Sequence, residues 1–394
     1  MEVHGFNEDM ARMFELTTRR AEAISRAPAA LDSTDPINGL VRRLHAAEIR
    51  LVLKVVTEET STTRTYRFEP APRSSGLPLF RAGQYLSLKV SVNGVKITRP
   101  YSLSAAPFEA RSFYELTIRR KDGGFLTEYI WKNWREGIVV EASGPHGTFY
   151  HDPLRDSGTV VALAGGSGIT PFRSMIREIA AGQSGVNMIL IYGSRCADDI
   201  IFKNELDLLA AQAPQKIRVI HVLSEPDNEW QGRTGFIDAA LIREETGSVN
   251  GKSFFICGPP VMYTFCTDQL SSLAVPPRLI RRELAGSVDD ISADPGFPAA
   301  VKGKQFTIRV RYRGKSMILP AAATETVLTA LEKGSLEPES QCRSGECGFC
   351  RALVLSGEVF FRPEGDGRRA ADRKCGFFHP CSSYPLTDLE LLIP

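Results

Sequence analysis

The chain has 394 residues, a formal net charge of +2, and 43% apolar and 24% charged side chains. That length exceeds one ordinary core and divides into two or three domains of about 150 residues, and the composition excludes disordered and collagen-like chains. So small a net charge, with no long run of one sign, argues against a nucleic-acid partner.

The first residues, MEVHGFNEDMARMFELTTRRAEA, lack a continuous apolar h-region, and no later stretch reaches the roughly 20 apolar residues that cross a bilayer. A cytoplasmic protein without a transmembrane segment is therefore expected. In that reducing compartment the eight cysteines point to metal or redox chemistry rather than to disulfides.

Residues 1–46 read as a helical arm, with Met10, Met13, Phe14 and Leu16 set among Arg and Glu before Pro28 and Pro36 interrupt. Over 47–154 short runs rich in Val, Ile, Thr, Leu and Tyr recur, each closed by Gly, Pro, Asn or Asp, as in IRLVLKVVTEE, QYLSLKVSV and FYELTIRRK. That pattern predicts an antiparallel β-barrel or sandwich. Over 155–286 the rhythm changes: TVVALAG, MILIYGS, IRVIHVL and SFFICG are each followed by a helical stretch, beginning near Asp198 after the second and near Phe236 after the third. Strands alternating with helices predict a doubly wound parallel α/β sheet. Residues 287–303, rich in Pro, Gly, Ala, Ser and Asp, read as a linker. The last segment, 304–394, opens with a hairpin (FTIRVRYRG, SMILP) and a short helix (ETVLTALEKG) before a cysteine-rich loop.

RPYSLS, Arg99 to Ser104, is followed by GGFLT and by GPHGTF. Alone, the first would be a strand edge with a turn. Together they suit a flavin: Arg99 offers a fixed cation to a phosphate, Tyr101 an aromatic face and Ser102 a hydroxyl for a ring nitrogen, with Pro100 between them. Gly124, Phe125, Leu126 and Thr127 open a helix whose N-terminus favours anions.

LAGGSGITPF places Gly165, Gly166, Gly168, Thr170 and Pro171 between a strand and a helix, the setting for a dinucleotide pyrophosphate, although it is not the GxGxxG fingerprint. ICGPPVMY repeats the arrangement with Cys257, Gly258 and Pro259 at another strand end, where ligands of doubly wound sheets collect; the alternative for Cys257 is a small buried thiol. Arg195 after MILIYGS suits the 2'-phosphate of NADPH, whereas Glu225 after the next strand would repel it and favour NADH.

CRSGECGFC spaces Cys342, Cys347 and Cys350 as C-x4-C-x2-C, the plant-type 2Fe-2S pattern. Zinc prefers two separated CxxC pairs and is the alternative. Spacing leaves the fourth ligand open between Cys375 and Cys381.

In this order these motifs resemble the ferredoxin-NADP reductase superfamily, in particular its members with a C-terminal plant-type ferredoxin domain, over residues 48–394. The resemblance implies a multidomain fold: an antiparallel β-barrel that binds flavin, a doubly wound α/β domain that binds NADPH or NADH, and an α+β β-grasp domain for the 2Fe-2S cluster. It implies FAD rather than FMN, since GPHGTF is closer to the FAD type, with Arg99, Tyr101 and Ser102 at the flavin and Ser102 and Cys257 as catalytic groups, Cys257 beside the nicotinamide. It further implies electron delivery to a separate acceptor protein, an oxygenase or another redox component. CSSYP matches the family's pattern around the last ligand, and Pro380 holds the chain extended there; both favour Cys381. The acidic or aromatic C-terminal residue that many members place over the flavin is displaced here by the linker, and the sequence names no substitute. The rival readings are a scaffold or redox sensor with a non-redox metal, and a stand-alone quinone or oxygen reductase.

Overall fold

Runs of alternating burial build the first sheet of the computed structural model, which describes residues 6–26, 39–41, 46–72, 74, 76–283, 290–362 and 366–394. The chain separates into two units, residues 1–43 and 44–394. The first carries helix α1 (Phe6–Arg26), with exposed Met13, Phe14 and Leu16 and the i,i+4 pairs Glu15–Arg19 and Glu22–Arg26.

In the second unit, β1 (Ala46–Thr60) points Leu51 and Leu53 inward, and β2 (Thr63–Pro70) adds Tyr66 and Phe68. β3 (Tyr85–Val92) and β4 (Val95–Ser102) form a hairpin whose tip, Asn93-Gly94, takes positive φ at both residues (52° and 81°). That is the two-residue turn that matches strand twist. β5 (Tyr114–Arg119), helix α2 (Phe125–Asn133) and β6 (Val139–His146) complete an antiparallel sheet in the order β4-β3-β6-β1-β2-β5. A bridge between Leu103 and Leu116 joins the chain just beyond β4 to β5 and closes the barrel. Trp134 caps the interior with edge-to-face contacts to Tyr66 and Phe68.

The second sheet is parallel throughout, in the order β10-β9-β8-β7-β11-β12. Its strands are β7 (Thr159–Gly165), β8 (Asn187–Ser194), β9 (Ile217–Leu223), β10 (Arg233–Thr234), β11 (Ser253–Cys257) and β12 (Ile280–Arg282), and its helices α3 (Thr170–Ala180), α4 (Lys203–Gln212), α5 (Ala239–Thr246) and α6 (Pro260–Ser272). The near-continuous apolar runs of β7 and β11 follow from burial on both faces. The helix expected near Asp198 begins at Lys203: residues 197–199 make a single 3-10 turn and Phe202 turns left-handed, at φ 63°, before α4 starts. The next starts at Ala239, capped by Asp238, whose carboxylate accepts from the Leu241 N–H at 2.8 Å.

The third sheet runs β14-β13-β19-β15-β17, with the first and last strands of the segment, β13 (Gln305–Tyr312) and β19 (Leu389–Ile393), paired in parallel. It also contains β14 (Lys315–Ala322), β15 (Ala352–Ser356) and β17 (Phe377–Phe378); β16 (Val359–Phe361) pairs with β18 (Ser383–Pro385) beside it. Helix α7 (Val327–Lys333) packs Val327, Ala330 and Leu331 into this core, and α8 (Ala370–Lys374) lies near the surface. Of the expected linker, residues 287–289 lie outside the described residues. Over 290–303 the chain makes two 3-10 turns and buries Ile291 and Phe297 against Ala323 and Tyr384.

Barrel and parallel sheet are joined through α3. Arg173 donates to Glu115 Oε2 at 2.7 Å, to Glu205 Oε2 at 2.9 Å and to the Ser104 carbonyl at 3.2 Å, while Arg177 reaches Glu109 at 2.7 Å. Burial alone would raise the Glu115 carboxyl, but Arg173 and Arg67 outweigh it and hold the carboxyl below its ordinary range. Because a buried ion stripped of its partner is costly, Arg173→Met should remove about 3 kcal/mol of stability in denaturant unfolding. A depressed carboxylate stabilises the fold above its unfolded value and loses that contribution as pH falls through its folded value, so Glu115→Gln should shallow the acid limb of the stability profile.

Candidate functional site

The carboxyl ends of β7 and β11 meet through glycine. A Cβ on Gly168 would stand 2.1 Å from the Cys257 carbonyl oxygen, and one on Gly165 would stand 2.6 Å from Met262 Sδ and 2.9 Å from Pro259. Gly258 closes the same contact, with its own Cβ position 3.3 Å from the Gly165 Cα. Only residues without a Cβ let the two loops touch, which leaves backbone N–H groups and the N-terminus of α3 open to an anion. Gly166 takes φ 51°, and its carbonyl accepts from Tyr192. The Thr170 hydroxyl donates to the Ser167 carbonyl at 3.0 Å and Pro171 is buried at the start of α3, so both shape the loop.

Arg195 is mostly exposed and lies 3.3 Å from Asp199, which also meets Arg119 of the barrel at 3.2 Å. Arg119 in turn reaches the Gly166 loop, its Nη1 being 3.2 Å from where a Gly166 Cβ would sit. Cys257 is buried, and burial foremost pushes its thiol well above the ordinary value, so it is neutral. Beside it Tyr263 accepts from the Gly258 N–H and donates to the Glu283 carbonyl. The Glu283 carboxyl is raised to about 8 by burial and by nearby Glu346 and Cys342.

On the barrel, Arg99, Pro100, Tyr101 and Ser102 occupy the second half of β4, half-buried, with Ser102 opposite Tyr85 on β3. Gly124 caps α2, where a Cβ would lie 2.5 Å from Thr127 Oγ1; Thr127 accepts from the Lys121 N–H, Leu126 is buried and Phe125 is exposed. Two clefts open nearby. The larger, about 1010 Å³, lies between β3, β4 and β6 and residues 337–341, and contains neither a cysteine nor the Tyr101-Ser102 pair. The second, about 580 Å³, gathers Tyr85 and Gly147 of the barrel, Arg281 and Glu283 after β11, and Cys342 and Cys347. Its size suits an organic cofactor, and residues of the barrel, of the parallel-sheet segment and of the cysteine loop line it, although Arg99, Tyr101, Ser102, Gly166, Gly168 and Cys257 do not.

The four thiols at Cys342, Cys347, Cys350 and Cys381 lie together. Cys342 is hydrogen-bonded by Cys347 and Cys381, which with the Cys347 N–H favour its charged form, and Cys350 is next to Cys381. Backbone N–H groups point at sulfur from Ser344 (3.5 Å) and Cys347 (3.4 Å) to Cys342, and from Phe349 (3.4 Å) to Cys347. Arg343, Gly345 and Gly348 take positive φ (55°, 83° and 71°), which turns those N–H groups inward. Ser344 Oγ and His379 Nε2 are buried without a partner. Among the described residues no group of three or more His, Cys, Asp or Glu is arranged to hold a single metal ion. A two-iron cluster spreads four thiolates over two metals, and a donor set of four cysteines ringed by inward N–H groups fits it. Cys375 is exposed at the end of α8.

Glu283, Arg119, Glu332 and Arg343 lie outside the residues singled out from sequence. Glu283, directly after β12, lines the 580 Å³ cleft with Cys342 and Cys347.

Three family models match in sequence order: the Oxidoreductase FAD-binding domain over residues 50–151, the Oxidoreductase NAD-binding domain over 162–268, and the 2Fe-2S iron-sulfur cluster binding domain over 310–386. The glycine betaine monooxygenase reductase subunit of Pseudomonas aeruginosa is 27% identical over 354 residues, 85% of this chain and 93% of that protein. NADH-cytochrome b5 reductase 1 of Dictyostelium discoideum is 34% identical over 216 residues, 54% of this chain and 73% of that protein. Among solved structures, phthalate dioxygenase reductase shares the fold with a TM-score of 0.63 at 24% identity, over 88% of this chain and 98% of that one.

The thiol arrangement predicts that Cys381→Ser loses iron and acid-labile sulfide while flavin content holds, and that Cys375→Ser keeps both near wild type. Iron and sulfide assays decide between them; cluster loss in Cys375→Ser alone would transfer the fourth position to that residue.

Proposed function

The chain belongs to the ferredoxin-NADP reductase superfamily, among the members that carry a C-terminal 2Fe-2S domain, and is an NAD(P)H-dependent oxidoreductase; we propose that it serves an oxygenase-type acceptor protein, with the residues in the roles that follow. The monooxygenase reductase names of its full-length relatives support that class of acceptor. The observation that carries the reading is the 580 Å³ cleft in which barrel, parallel sheet and cysteine loop converge.

When bound, a flavin accepts two electrons and a proton as hydride from NAD(P)H and releases the electrons singly to a 2Fe-2S cluster, an exchange the nicotinamide alone does not make with a one-electron acceptor. Arg99 holds a flavin phosphate, Tyr101 stacks on the ring, and Ser102 hydrogen-bonds the ring edge. Gly124 and the first turn of α2 complete the anion site. Gly165, Gly166 and Gly168 admit the nicotinamide dinucleotide to the backbone, with Arg119 and Arg195 as cations near the phosphates. Cys257, kept neutral by burial, packs beside the nicotinamide without charge, and Gly258 and Pro259 shape the same wall. Cys342, Cys347, Cys350 and Cys381 hold the cluster. The carboxyl of Glu283, raised to about 8, is able to hold a proton near neutral pH at the edge of this cleft.

Among the described residues no helix is long and apolar enough to cross a membrane. On this reading the chain sits in the cytoplasm, a reducing compartment where close-spaced cysteines serve a cluster rather than disulfides.

Arg99→Ala should lower flavin occupancy in the purified protein, because a charge-assisted contact is lost from a largely desolvated site; Ser102→Ala should keep the flavin and slow its bleaching by NAD(P)H. Full occupancy and normal bleaching in both would remove β4 from the flavin site.

The basic run Arg368 to Lys374 is partly neutralised, since Arg368 pairs with Asp366 at 2.7 Å and stacks on Phe361. Arg369 and Lys374 remain exposed. The double variant Arg369→Glu/Lys374→Glu should slow association with an acidic acceptor and flatten its dependence on ionic strength, read from stopped-flow rates across a salt series.

A further inference from the structure

β4 is an edge strand of its sheet, since among the described residues β3 is its only strand neighbour along Val95–Ser102. An edge presents main-chain groups that need a partner. At Thr98 that partner comes from the third sheet's helix: the Thr98 N–H donates to Glu332 Oε1 at 3.4 Å. The neighbouring Arg99 places its Nη1 3.7 Å from Glu332 Oε2. From the other side Arg343, which directly follows Cys342, donates to Glu332 Oε1 at 2.6 Å and to Thr329 Oγ1 at 3.4 Å. Arg343 is 1% exposed and Glu332 4%.

One buried carboxylate thus faces two guanidiniums that belong to different sheets, one on the flavin strand and one on the cysteine loop. Burial and the neighbouring Arg343 pull Arg99 down to about 10, and Glu332 opposes them. Two further polar contacts between these parts, among the described residues, are weaker. Lys96 and Glu337 pair at 3.1 Å with both side chains more than half exposed, where solvent screens the attraction, and Ser87 donates to the Gln341 carbonyl at 3.3 Å. In low dielectric the Glu332 contacts dominate, and stripping either cation of its partner is costly.

We propose that Glu332 is a positioning residue for the flavin-to-cluster step: its carboxylate ties β4 and the Cys342–Cys350 loop into one unit and so sets the spacing between the two cofactors. This rests on the electron-transfer reading above. Per NAD(P)H, two electrons and a proton would enter at the flavin, the two electrons would leave one at a time through the cluster to the acceptor protein, and the proton would be released to solvent; Glu332 exchanges neither electron nor proton, and acts through geometry.

The test compares the holoprotein with Glu332→Ala and with Glu332→Ala/Arg343→Met, the second variant removing the cation that the first leaves buried and alone. Three quantities are followed: bleaching of the flavin by NAD(P)H, growth of the reduced-cluster EPR signal after freeze-quench in molecules that carry iron, and hydrogen exchange at the Thr98 amide. Both variants should bleach at the wild-type rate, pass electrons to the cluster about tenfold or more slower, as a small misplacement of reacting partners produces, and exchange the Thr98 amide about tenfold or more faster. A double variant that transfers and exchanges like wild type would reduce Glu332 to an internal partner of Arg343 and overturn the proposal. If both variants lose the cluster, Thr98 exchange decides alone, and wild-type protection there overturns it. Failure of NAD(P)H to bleach the flavin in the wild-type protein would instead count against the electron-transfer reading.

Discussion

Glu115 is one carboxylate on β5 that three arginines share: Arg67 on the adjacent strand, and Arg173 and Arg177 on the first helix of the parallel sheet. It is nearly closed off from solvent, so its charge cannot be left to water and must be met by those cations. That requirement fixes α3 against the barrel. Since α3 also begins at the Gly166–Ile169 turn, the glycine loop at its N-terminus and β5 are held in one frame by the same ions. Arg281, paired with buried Asp156 and donating to the Thr148 carbonyl, anchors the far end of the parallel sheet to the barrel in the same manner.

Polar anchors at these seams rather than greasy ones have a chemical logic. An apolar seam would tolerate sliding, because dispersion is non-directional, whereas bidentate guanidinium contacts specify orientation. Electron transfer between cofactors and hydride transfer from a nicotinamide both depend steeply on placement, so seams that resist sliding suit a chain that passes electrons across three sheets. The glycine contact between Gly168 and Cys257 serves the same end by different means: it lets two strand ends approach until no side chain fits between them.

The cysteine loop shows how much of a cluster site is backbone. Its sulfurs are surrounded by N–H groups that point inward because Arg343, Gly345 and Gly348 adopt left-handed conformations. For the glycines this is inexpensive. Arg343 adopts it with a full side chain, which is then fully buried and committed to Glu332. The ion pair and the unusual backbone turn therefore support each other.

Local chemistry is what the sequence determined by itself. Short β-branched runs closed by turn residues declared the barrel strands, strands alternating with helices the parallel sheet, and C-x4-C-x2-C the 2Fe-2S domain, because composition and ligand spacing are properties of a few neighbouring residues. RPYSLS and LAGGSGITPF raised their expectations on the same local grounds. Contacts between distant segments were decided only by the tertiary structure. Nothing near Glu115 announces Arg173, 58 positions away, and nothing in ETVLTALEKG marks Glu332 as the carboxylate that meets both Arg99 and Arg343. Nothing in RREL marks Glu283 as the residue that the fold carries to the cleft with Cys342. The start of α4 was misjudged because the turn at Phe202, a left-handed residue without glycine, leaves no local signal. Charges that are buried by distant parts of the chain acquire their partners from topology, and topology is written in no single stretch.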